Sequence, residues 1–128
     1  MADRFFEDLE RGADLFNRGL YFEAHEAWED GWLVERGGRR LLLHGLIQVA
    51  AAFVKLERGE PGGTLRLLLK GIAKLEEAAP EDGGIDLRAL VQDLGPWQAA
   101  AARMVETGAR EFNARLLPRL RWRATGSR

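Results

Sequence analysis

The chain contains no cysteine, two histidines (His25 and His44) and one serine, Ser127. Without thiols there is no disulfide framework, no thiolate nucleophile and no cysteine-ligated metal, a composition that suits a reducing, cytoplasmic setting. A lone serine near the C-terminus leaves no plausible Ser-His-Asp arrangement. Long apolar runs are also missing. Leu41 to Val54 is the longest, but His44 and Gln48 interrupt it and it falls short of the about 20 residues that a membrane span needs. The opening Met-Ala-Asp-Arg-Phe-Phe-Glu-Asp has acidic residues and no apolar segment, unlike a signal peptide. Charge of one sign is lacking too: a net charge of -1 argues against a general affinity for nucleic acid or anionic lipid.

What is present reads as one all-α domain. The 128 residues suffice to bury about two-thirds of the unfolded surface. Three glycine pairs, Gly37-Gly38, Gly62-Gly63 and Gly83-Gly84, fall where helical periodicity lapses and divide the chain into blocks. Helices are predicted over about 4–17, 21–34, 39–58 and 64–78, the first two joined by a tight turn at Arg18 and Gly19 that makes them antiparallel. In the fourth, Leu65, Leu68, Leu69, Ile72 and Leu75 are expected inward. Asp86 can cap a fifth, whose apolar positions keep one phase from Leu87 to Met104 across a kink expected at Pro96. The fold expected is a compact antiparallel helical bundle of about five helices over residues 1–109. The remainder, 110–128, holds six arginines against one glutamate, and Pro118 argues against a helix there; an irregular, loosely attached tail is expected.

The chemistry concentrates in Glu23-Ala24-His25-Glu26-Ala27-Trp28-Glu29. A 3.6-residue period sets His25 and Glu29 on one stripe with Phe22, Trp32 and Leu33, so two ionisable groups sit among apolar ones. The third helix carries a matching line of His44, Gln48, Ala51 and Lys55 down an otherwise apolar cylinder. Such a juxtaposition is either a hydrogen-bonded knot that fixes helix register or the edge of a small polar pocket walled by Phe22, Trp28 and Trp32.

Two catalytic readings compete with these. His25-Glu26-Ala27-Trp28-Glu29 resembles the helical zinc-protease motif with Glu29 in place of the second histidine, so a single divalent metal would need His25, Glu29 and either His44 or Gln48. Glu26 or Glu29 could alternatively serve as a general base in a hydrolase-like enzyme. A di-iron carboxylate site is excluded because no Glu-x-x-His occurs. Finally, the arginine-rich tail could contact RNA phosphates.

The run Leu15-Phe16-Asn17-Arg18-Gly19-Leu20-Tyr21-Phe22-Glu23-Ala24-His25-Glu26-Ala27-Trp28-Glu29, with Leu46-Ile47-Gln48-Val49-Ala50-Ala51-Ala52, resembles the signature of the prokaryotic domain-of-unknown-function family 309. Leu56-Glu57-Arg58-Gly59 and Gly84-Ile85-Asp86-Leu87 extend the likeness, which covers about residues 10–94. His44 departs from the pattern, which more often has glutamine there. The resemblance implies a compact helical domain without an established activity and draws attention to His25, Glu26, Glu29 and Gln48. The expectation is therefore a non-enzymatic binding or self-associating module, partnered by a second copy of itself, with no cofactor and no membrane or nucleic-acid role.

Overall fold

A computed structural model describes residues 3–110 and 112–123. Five α-helices account for most of it: α1 (Arg4–Asn17), α2 (Tyr21–Trp32), α3 (Gly37–Glu57), α4 (Pro61–Glu77) and α5 (Leu87–Thr107), with short 3-10 turns at Ala79–Glu81 and Ala114–Leu116. The all-α bundle expected from the periodicity is the one observed, with no strand among the described residues.

Local chemistry sets the boundaries. Asp3 caps α1 by accepting from the Phe5 amide at 3.0 Å, and Asp86 caps α5 by accepting from Ala89 at 3.0 Å. After α1, Gly19 takes φ +78°, and the Leu20 and Gly19 amides donate back to Leu15 and Phe16. Gly59 repeats this after α3, with Glu60 and Gly59 donating to Lys55 and Leu56. Both are left-handed caps that a side chain would strain. The Gly62-Gly63 pair is not a break, as expected, but part of the first turn of α4, which Pro61 starts; Gly37-Gly38 likewise opens α3. Pro at the first helical position needs no amide partner, so the helix begins three residues earlier than its apolar pattern does.

α3 is the central element. Ten of its residues are buried, and it packs against α2 on one flank and α4 on the other. Where α3 crosses α4, Gly45 and Gly71 face each other so closely that a Cβ on Gly71 would stand 3.0 Å from the Gly45 carbonyl oxygen. This crossing turns the α4 seam to Thr64, Leu68, Gly71 and Leu75 and leaves Leu69, expected inward, exposed. α1 meets α2 through Gly12, against which the fully buried Trp28 indole lies, its N–H donating to the Leu9 carbonyl at 3.2 Å. α5 runs as one helix through Pro96 and buries Leu87, Leu90, Leu94, Trp97, Ala101 and Met104.

The arginine-rich segment is irregular, but its described part is not loosely attached. The Asn17 carboxamide brackets Leu120, donating to its carbonyl at 2.9 Å and accepting from its amide at 2.7 Å, and Leu120 is buried. Trp122 forms an antiparallel bridge with Ile85, and Trp97 donates to the Leu116 carbonyl at 2.6 Å. Arg121 pairs with Asp93 and Arg123 with Asp82. Composition suggested a solvated tail because arginine counts do not reveal that carboxylates wait on the bundle. The end of the predicted tail, 124–128, lies outside the described residues.

Candidate functional site between α2 and α3

Ring contacts fix how the second and third helices lie. Trp32 of α2 packs on His44 of α3 with ring centroids 5.5 Å apart, while His25 shares a small groove with Ala51, Val54 and Lys55. The two helices are therefore antiparallel, and interpolation brings Glu29 level with Gln48. The α3 stripe read from the sequence is real: His44, Gln48, Ala51 and Lys55 are all half-buried along the seam.

His25 and Glu29 approach through Nε2 and Oε2 at 3.5 Å, with the imidazole one-quarter exposed and the carboxylate nearly half exposed. With Nε2 turned to a group that can only accept, the other ring nitrogen, Nδ1, is left over. It is buried and has no partner among the described residues, and the same holds for Gln48 Oε1 and Trp32 Nε1. The expected closed network therefore does not form: one imidazole–carboxylate contact is made, and two further side chains present buried polar atoms to nothing. Most buried polar groups in folded proteins find a partner, which makes three on one seam notable.

The charge along the seam is uneven. Arg40 lies 4.0 Å over the Trp32 ring and donates to the Trp32 carbonyl at 2.9 Å, closing the end nearest the α2–α3 turn. Burial, then the positive charges of Lys74 and Arg40, hold the His44 imidazole below its ordinary range, so it is neutral at pH 7. At the other end a groove of about 150 Å³ is lined by Phe22, His25, Ala51, Val54, Lys55 and Arg58. Phe22 is 48% exposed and its ring tilts over His25 at 5.8 Å.

Three expectations need correction. Trp28 does not wall this groove; it is a core residue turned toward α1, against Gly12. Trp32 belongs to the far end of the seam, so only Phe22 of the three aromatic walls is in place. Glu26 is exposed and does not join the stripe, because one residue after His25 is a rotation of about 100° around the helix. The His44 version of the metal set is not brought together. His44 lies against Trp32, the rings tilted at 52°, rather than meeting His25 and Glu29, and no group of three or more His, Asp or Glu side chains suited to a metal exists among the described residues.

A buried acid was also missed. Asp8 is 4% exposed and held by Arg4 at 3.2 Å and Arg11 at 3.5 Å, with Arg11 continuing to Asp30 of α2 at 3.0 Å. Its i−4 and i+3 arginines were the available signal. A second acidic locus lies by the groove: burial, then Glu23, raises the Glu57 carboxyl, and burial, then Glu57, pushes the Tyr21 phenol up to about 12.

A small all-α bundle with a half-polar seam between two antiparallel helices is the class that fold and site define. Residues 9–67 match the family model described as "Domain of unknown function (DUF309)", and over this segment the chain is similar to that family. The match contains the whole α2/α3 seam and stops within α4, so Gly84 to Leu87 lies beyond it. No curated protein matches the chain.

Proposed function

We propose that the chain is a non-enzymatic binding module whose recognition face is the α2/α3 seam and whose partner is a second copy of itself. The reading rests chiefly on the unpartnered His25 Nδ1, Trp32 Nε1 and Gln48 Oε1 gathering on this one interface. A purely structural knot would close on its own hydrogen bonds, whereas a contact surface completes them from outside after small side-chain rotations. Two features support self-pairing. Phe22 offers a large exposed apolar group beside the groove. The outer side of α2 carries exposed Glu23, Glu26 and Asp30, while Lys55 and Arg58 rim the groove on α3. A two-fold contact brings the acidic strip of each copy to the basic rim of the other.

Sedimentation analysis over the micromolar range tests this. The expected result is a dimer that weakens with added salt and dissociates in Phe22→Glu, while Lys55→Glu weakens it and pairing of Lys55→Glu with a Glu26→Lys chain restores it. A native chain that stays monomeric throughout that range refutes the proposal.

A further inference from the structure

A separate cavity lies between the C-terminal half of α5 and the irregular segment that follows it, about 360 Å³ in volume and sharing no lining residue with the groove on the α2/α3 seam. Its walls are aromatic. The Trp97 and Phe112 rings stand 5.6 Å apart at 58°, and Ala100 and Leu116 complete the apolar lining. The indole is held in place because its N–H is already committed to the Leu116 carbonyl at 2.6 Å. Phe112 and Leu116 remain about half exposed around the opening, apolar area that an occupant would cover.

The polar groups at the mouth are of one kind. Arg103 lies on α5 one turn beyond Ala100, and Asn113 uses its Oδ1 to accept from the Arg115 amide at 2.9 Å, which leaves its amide nitrogen as a donor. No carboxylate is among the described residues lining the cavity. An apolar chamber with a few convergent polar groups is the usual form of a small-molecule site, and a cavity of about 150 Å³ already holds benzene. This one has more than twice that room.

We propose that this cavity binds a small planar organic anion of about two fused rings, its ring system against Trp97 and Phe112 and its charge toward Arg103 and Asn113. The sulfonated dye 1-anilinonaphthalene-8-sulfonate is the probe, with uncharged N-phenyl-1-naphthylamine as its comparison. Calorimetry on the full chain is expected to show one sulfonate per chain. Arg103→Gln should weaken it about tenfold while leaving the uncharged compound unaffected, since a charge-assisted bond is lost. Ala100→Phe fills the chamber and should abolish both. Because that variant could fold poorly, the unaltered protein supplies an independent reading: the indole N–H resonance of Trp97, assigned by its loss in Trp97→Phe, should shift on titration. Sulfonate binding that does not saturate at one per chain, that is indifferent to Arg103→Gln, or that leaves the Trp97 resonance unmoved overturns the proposal.

Discussion

Gly12→Ala is the sharpest probe of how the first two helices are joined. On an isolated helix the change should stabilise by about 1 kcal/mol, because glycine is the poorer helix former. Here the added methyl would fall within the space of the Trp28 indole. That ring is fully buried and flanked by Phe16 at 5.9 Å, so it cannot retreat without disturbing the core. Overpacking of this kind costs about 1–3 kcal/mol, and displacing the indole also strands an N–H now bonded to the Leu9 carbonyl, about 1–3 kcal/mol more. Against the propensity gain, the net loss is about 3 kcal/mol. With an unfolding entropy of about 2.1 cal/mol/K per residue, this lowers the melting temperature by roughly 10 °C. Differential scanning calorimetry reads it directly. Combining the change with Trp28→Phe, which shrinks the ring and removes its donor, should recover part of the loss, so the two variants are not additive. A Gly12→Ala protein that melts at or above the native temperature would refute the packing argument.

Other outcomes follow from the same structure. Tyr21 is the only tyrosine, so ultraviolet titration reports it alone; its phenol should ionise near pH 12 in the fold. Because the folded pKa is raised, the associated stability is intact below pH 10.0 and lost between there and about 12, to a total of about 2.7 kcal/mol, measurable by denaturant unfolding across that range. His44 has the opposite sign. Its lowered pKa means that stability is present above its ordinary 6.5 and is lost as pH falls through the folded value; thermal melts below that pH should decline less in His44→Gln than in the native chain. Asn17→Ala removes both bonds to Leu120 and should cost about 2 kcal/mol, with amide exchange at Leu120 accelerated. Unchanged exchange there would show that the segment is held by other contacts.

How much of this was legible in the sequence depended on whether a feature is periodic or spatial. α1 was readable to the residue because its apolar spacing ends at a glycine cap, and the α5 face because Leu87 to Met104 keep one phase through Pro96. The α3 stripe was readable for the same reason. The roles of single glycines were not: Gly12, Gly45 and Gly71 look like weak points in a helix, and only the approach of Trp28 or a facing backbone shows why no side chain fits. In the candidate site, periodicity assigned His25, Glu29 and Gln48 to the right interface but could not divide the aromatics. Trp28 and Trp32 are one turn apart on α2, and the small rotation between them separates a core anchor from a seam residue. The docking of Leu120 and Trp122 depends on partners about a hundred and about forty positions away, a range that no local pattern encodes.

The Asn17 carboxamide imitates a neighbouring peptide group, offering a backbone segment 103 residues distant the same donor and acceptor a β-strand would. One side chain thereby closes a loop around nearly the whole bundle. Closing so long a loop is entropically costly at first and adds little for each further residue, so it is favoured only once the helices inside it have assembled. The clasp should therefore form late in folding and open together with the last turn of α1 that carries it, making that turn and the segment around Leu120 report on a single cooperative event.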